Sequence, residues 1–270
     1  MASESAVVNA GAERIAAAFA NASGRAALMP YLMGGFPDLE TSRAIGLAYA
    51  DGGADLVELG VPYSDPLADG PVVHEAGTKA LAAGATVDGV LDVCRSLSER
   101  LPVVLMLYAN LVLARGVETF VADAVAAGAS GLIVPDLPLE EASDVLAVCD
   151  AAGLALVPLV APTTPDERLR AIGERARGFL YTVSVAGTTG ERTGTKESFE
   201  PIIARAQAAT DVPVALGFGI ATPEAAAAAA DAGADGVIVG SRLVRAAAES
   251  EDPAAAVRAV VAALAEGLRA

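Results

Sequence analysis

One carboxylate stands out because of its neighbours. Glu58 lies inside an apolar run, flanked by Val57 and Leu59. An ionised side chain there is costly to bury unless it is paired or does chemistry. If the run is a strand, alternation puts Leu56, Glu58 and Gly60 on one face. Should that face meet an apolar ligand, desolvation would raise the Glu58 pKa toward neutrality and suit it to general acid–base work. The same position also suits a structural glutamate satisfied by backbone N–H groups or a buried arginine. Two further carboxylates, Asp65 and Asp69, follow in a stretch rich in proline and glycine. Taken singly, each reads equally as a turn residue.

A second group of residues points to an anion. Gly217, Gly219 and Gly240 follow short apolar runs, and Ser241 comes next to the last of them. Glycines let backbone N–H groups approach an anion closely, and a serine at a helix start can cap it and donate its hydroxyl. Gly190 could supply another N–H. The net charge is -16, so a phosphate would have to be held by local N–H groups rather than by a basic patch. The same acidity argues against nucleic acid and anionic membranes as partners.

These residues need elements to position them. Short runs rich in Val, Leu and Ile recur at Leu28–Met33, Leu56–Gly60, Val103–Tyr108, Leu132–Asp136, Ala155–Val160, Phe179–Val183, Val214–Gly217 and Val237–Gly240. Alanine-rich segments of helical spacing separate them. Alternating strands and helices predict a parallel sheet, and strands apolar throughout predict burial on both faces. Eight such units in 270 residues predict a single (β/α)8 barrel spanning 1–270. Gly53, Gly128 and Gly233 each precede a strand and are expected to end helices in the left-handed region. A doubly wound open sheet is the alternative, but Gly34-Gly35-Phe36-Pro37 after the first run is not its phosphate fingerprint. Ile15, Ala18 and Phe19 predict a short N-terminal amphipathic helix. The first residues lack a basic start and a continuous apolar core, and no run is long enough to span a bilayer, so a cytoplasmic chain is expected. Cys94 and Cys149 read as buried, reduced thiols in helices.

In a barrel of this kind, catalysis belongs at the C-terminal ends of the strands. There the segment Glu58-Leu-Gly-Val-Pro-Tyr-Ser-Asp-Pro-Leu-Ala-Asp69-Gly-Pro71 closely resembles the signature of the tryptophan synthase α subunit family. The similarity extends to Met29–Pro37, Tyr108–Val112, Pro135–Pro138, Tyr181–Gly194, Gly217–Ile220 and Gly240–Arg242. It implies cleavage of indole-3-glycerol phosphate to indole and glyceraldehyde 3-phosphate. It implies that Glu58 protonates C3 of the indole and that Asp69 engages the indole N–H. Gly190, Gly219, Gly240 and Ser241 would bind the phosphate. Tyr31, Tyr108, Tyr181, Thr189 and Phe218 would contact the rest of the substrate. Pro62, Asp65, Pro66 and Asn110 would face a β subunit in an αββα complex. Pyridoxal phosphate is expected only in that partner, with no cofactor or metal in this chain.

The residues that are missing agree. A Schiff-base lyase needs a lysine at a strand end. The chain has only Lys79, in a helix, and Lys196, expected in a loop. The one histidine, His74, makes no zinc site and reads as a surface residue. Carboxylate acid–base chemistry on an electron-rich indole remains. Gly187, Gly190 and Gly194 with Thr188, Thr189 and Thr193 read as a lid over the site. Two other readings stay open: another phosphate-binding barrel lyase or isomerase, and a non-catalytic barrel subunit that only binds a partner.

Overall fold

The computed structural model describes residues 9–22, 24–183, 195–217 and 219–269. Twelve helices and nine strands alternate among them. All strand pairs are parallel, in the order β5-β4-β3-β2-β1-β9-β8-β7-β6. These strands are β1 (Ala27–Met33), β2 (Val57–Gly60), β3 (Val103–Met106), β4 (Ala129–Ile133), β5 (Ala155–Val157), β6 (Leu159–Val160), β7 (Leu180–Val183), β8 (Val214–Gly217) and β9 (Gly236–Val239). The two ends of that order, β5 and β6, are one chain run divided at Pro158, so the sheet is an almost closed barrel. Proline has no N–H for a ladder. Its carbonyl still accepts from the Tyr181 N–H at 3.0 Å, so β5 bonds β4 on one side and β6 bonds β7 on the other. The expected run at 155–160 is therefore one barrel position built as two strands. The fourth strand begins at Ala129, three residues before the expected Leu132, because Ala129 and Gly131 pair with Val103 and Val104 despite their weak strand preference, with Ser130 bulged between them.

The interior is apolar, and strands β1, β2, β3, β4, β7, β8 and β9 are buried along their whole length. Helix α2 (Leu39–Gly52) starts where the Asp38 carboxylate accepts the Thr41 N–H at 2.8 Å. It ends at Gly53 with φ 96°, a conformation that only glycine adopts cheaply. Gly128 (φ 79°) and Gly233 (φ 97°) have the same left-handed backbone.

The N-terminal helix α1 (Ala10–Asn21) closes the bottom of the barrel. The Gly11 N–H bonds the Gly153 carbonyl at 2.8 Å, and a Cβ on Gly11 would lie 2.0 Å from the Ser130 carbonyl oxygen. Ile15 is fully buried beneath the starts of β4 and β7, and Phe19 packs on Phe179 at 5.8 Å between ring centres. With that mouth filled, the C-terminal ends of the strands are the end left for a ligand. Among the described residues, no helix is long and apolar enough to cross a membrane.

Candidate active site

Glu58 sits in the middle of β2, hydrogen-bonded between β1 and β3, with Tyr31 as its partner across the β1 ladder. It is 1 % exposed, which marks it as a carboxyl removed from water. Its Oε1 is buried and has no hydrogen-bond partner among the described residues. Of the two possibilities the sequence left open, the backbone-satisfied structural glutamate is thus unsupported at that oxygen. Desolvation, and secondarily the negative charge of Asp69, raises the Glu58 pKa to about 8. A carboxyl with that value carries its proton at neutral pH.

Asp69 approaches from the loop between β2 and α3 (Pro71–Ala82). Burial raises its pKa, but two neighbours oppose the rise. The Tyr108 hydroxyl donates to Asp69 Oδ1 at 2.9 Å, and the charge of His74 favours the carboxylate. The two carboxyls therefore differ: Glu58 has neither compensation and keeps its proton more firmly. Environments that separate two titratable groups in this way assign one as acid and the other as anion.

Tyrosines form the rest of the visible wall. Tyr31, Tyr108 and Tyr181 are all buried, and burial raises the pKa of each. Tyr31 and Tyr181 also feel the Glu58 charge, which places the three side chains around one point. Two glycines make room for the rings. A Cβ on Gly60 would lie 2.2 Å from the Tyr31 hydroxyl, and one on Gly217 would lie 2.5 Å from that of Tyr181. A cavity of about 450 Å³ opens between the loops that follow β4 and β6; Ala68, Pro135, Leu137, Leu159 and Val183 are among its lining residues, while Glu58, Asp69 and the three tyrosines are not.

The phosphate-type turns lie at the ends of β8 and β9. Gly219 is buried with φ 86°, and Gly240 has its Cα side against the Tyr31 ring. Ser241 is not the cap that its sequence position suggested. Gly240 occupies the N-cap of α11 (Ser241–Ala248) without a side-chain bond, and Ser241 is the first helical residue, 8 % exposed. Lys196 likewise opens α9 (Lys196–Gln207) rather than lying in a loop, because Thr195 and Ser198 form a capping box there. It still ends no strand. Gly187, Thr188, Thr189, Gly190, Thr193, Gly194 and Phe218 lie outside the described residues.

Around the loop after β2, Asp65 and Asn110 are exposed and Pro66 is half-buried, whereas Pro62 is buried. Leu67 and Leu113 on the same side are 77 % and 63 % exposed, unusual for leucines. Cys94 and Cys149 are buried free thiols, and burial pushes both up to about 12. His74 is exposed, as expected, yet close enough to act on Asp69. Sequence reasoning missed that effect. It also missed the Tyr108–Asp69 hydrogen bond, whose only sequence signal was a tyrosine at a strand end.

A parallel barrel with a buried carboxyl on its second strand and another carboxyl in the loop that follows has the form of a (β/α)8-barrel enzyme. Comparison with known proteins makes this specific. Residues 17–269 match the family model of the tryptophan synthase alpha chain. The alpha chain of Prochlorococcus marinus (strain MIT 9313) is 50% identical over 226 residues, covering 83% of this chain and 82% of its own length. That of Methanosarcina mazei is 49% identical over 226 residues, with 84% and 83% covered. The Mycobacterium tuberculosis tryptophan synthase structure superposes with a TM-score of 0.89 at 40% identity, covering 95% of this chain and 98% of that one. A chain of the Pyrococcus furiosus tryptophan synthase a2b2 complex gives 0.80 at 33% identity, covering 89% and 97%. The chain belongs to the tryptophan synthase alpha chain family. Its reaction is the lyase cleavage of indole-3-glycerol phosphate to indole and glyceraldehyde 3-phosphate, in tryptophan biosynthesis.

Proposed function

We propose that Glu58 and Asp69 divide this cleavage between them as acid–base and electrostatic partner. The observation that carries the reading is the buried Glu58 carboxyl, with an oxygen that has no partner among the described residues and a pKa raised by burial to about 8. Protonated Glu58 gives its proton to C3 of the indole ring, which leaves the ring nitrogen positively charged. The Asp69 carboxylate accepts a hydrogen bond from the indole N–H and stabilises that charge. Glu58, now ionised, takes the proton from the hydroxyl on the adjoining glycerol carbon. The carbon–carbon bond breaks, its electron pair restores the aromatic ring, and the glycerol carbon becomes the aldehyde. Proton and electrons balance without a cofactor in this chain.

The substrate would lie with its phosphate on Gly219, Gly240 and Ser241, joined by Gly190 from the segment after β7. Ser241 contributes there as the first residue of α11, its N–H directed out of the helix start and its hydroxyl close by. Tyr31, Tyr108 and Tyr181, with Thr189 and Phe218, would enclose the remainder, and the apolar cavity beside Ala68 suits the ring end. Thr189 and Gly190 would belong to a lid that excludes water.

The same reading gives the chain a β subunit as partner, with indole passed directly to it. Asp65, Pro66 and Asn110 lie on the face where Leu67 and Leu113 are exposed, and large bare apolar side chains mark a surface that another protein covers. Pro62 would act from beneath, shaping the loop rather than touching the partner. Pyridoxal phosphate would belong to the β subunit alone, and the assembly to the cytoplasm.

The test is a steady-state assay of indole release from indole-3-glycerol phosphate, with and without a β subunit. Glu58→Gln should remove at least about a hundredfold of kcat, the usual loss when a general acid–base is deleted. Undiminished release from that variant would remove Glu58 from the chemistry.

A further inference from the structure

The anchor of Asp69 has an anchor of its own. Tyr108 holds Asp69 by its hydroxyl at 2.9 Å and is held in turn by the Ala68 N–H at 3.0 Å. Tyr108 is also the N-cap of α5 (Ala109–Arg115), but it makes no side-chain cap bond to that helix. The first N–H of α5, that of Ala109, is taken by Asp136 Oδ1 at 2.8 Å, from the loop after β4. A carboxylate from a neighbouring strand end thus fixes the backbone on which Tyr108 is mounted. Two further contacts tie the same turn to the β2 loop. Asn110 Nδ2 donates to the Tyr63 hydroxyl at 3.2 Å, and the Tyr63 and Tyr108 rings pack at 5.4 Å.

We infer that Asp136 is a positioning residue for the cleavage, acting through the Ala109 N–H and the Tyr108 hydroxyl to hold Asp69 in its reactive orientation. This rests on the role assigned to Asp69 above. Without the Asp136 acceptor the start of α5 loses its fixed bond to the barrel. The Leu107 N–H still bonds the Ile133 carbonyl at 3.0 Å, but the turn beyond it, which carries Tyr108 into α5, loses its anchor. A misplacement near 1 Å at a reacting group costs on the order of a hundredfold in rate.

The test is a double-mutant cycle on the full chain with saturating β subunit, so that weakened assembly does not enter. Asp136→Asn keeps an oxygen acceptor at the same reach and should retain most of kcat. Asp136→Ala and Asp136→Glu should lose about tenfold or more, the glutamate because its longer side chain carries the acceptor past Ala109. KM should move much less than kcat. Tyr108→Phe breaks the same chain further along, so the double variant Asp136→Ala/Tyr108→Phe should be no slower than the slower single variant. Losses that multiply would overturn the inference, and so would an Asp136→Ala enzyme at wild-type speed. An active glutamate variant beside an inactive asparagine variant would also overturn it, by making charge rather than geometry the requirement. Asp69→Asn is the control that separates the two levels. If it is fully active, the role of Asp69 itself has failed; if it is slow while Asp136→Ala is fast, only the positioning has.

Discussion

Replacing Glu58 by glutamine should stabilise the chain increasingly as pH rises, even though it removes activity. In the folded state the carboxyl holds its proton to about pH 8, against 4.5 when it is free of the fold. Between those values the folded chain binds more protons than the unfolded one, so stability falls with increasing pH. Below the lower value both states are protonated and Glu58 imposes no penalty. Above the upper value the folded chain carries a buried anion whose Oε1 lacks a partner among the described residues. At ~1.36 kcal/mol per pH unit, the whole displacement amounts to about 5 kcal/mol. Glutamine is neutral throughout and escapes this slope. Its amide in the same apolar place adds a roughly constant penalty of about 1–3 kcal/mol, so the slope of the difference is the diagnostic quantity and not its offset. Urea unfolding of both proteins at about pH 5 and about pH 8 should show the difference moving by about 4 kcal/mol in favour of glutamine. With an m-value of about 3 kcal/mol/M, the midpoints should move relative to each other by more than about 1 M. A difference that stays flat across this range would mean that Glu58 is solvated or paired, and the acid role built on its burial would fall with it.

The same proton predicts a kinetic profile: kcat/KM for cleavage should decline about tenfold per pH unit above roughly pH 8, because only protonated Glu58 can supply C3. A plateau to pH 10 in a pH–rate series would contradict it. Gly60→Ala would push a methyl to 2.2 Å from the Tyr31 hydroxyl, and it should cost about 1–3 kcal/mol in a denaturant melt while also slowing cleavage. Gly11→Ala would set a Cβ 2.0 Å from the Ser130 carbonyl at the opposite end of the barrel. It should lower stability by at least a similar ~1–3 kcal/mol and leave kcat of the folded fraction nearly unchanged, which active-site titration can separate. Asp65→Ala should weaken activation by the β subunit more than it weakens binding of the α ligand; wild-type activation in a β titration would argue against that interface.

The strand–helix alternation was legible in the sequence because a sheet buried on both faces demands unbroken apolar runs. The helix ends at Gly53, Gly128 and Gly233 were legible because a left-handed residue is nearly always glycine. Glu58 could be picked out as costly in its strand, since burial penalises a charge whatever the fold around it. Three things depended on the chain being folded. Division of the fifth strand at Pro158 depends on both neighbours bonding to it, which no local propensity encodes. The cap of α11 passed from Ser241 to Gly240 because the backbone at the end of β9 turns one residue earlier than spacing suggests. The inequality of Glu58 and Asp69 is likewise tertiary. Tyr108 lies 39 residues from Asp69 along the chain, and only the barrel brings its hydroxyl to that carboxylate while leaving Glu58 Oε1 without a counterpart among the described residues. Residue type and spacing named the two carboxylates; the unequal desolvation and hydrogen bonding that separate acid from anion arise only where strands and loops distant in sequence meet.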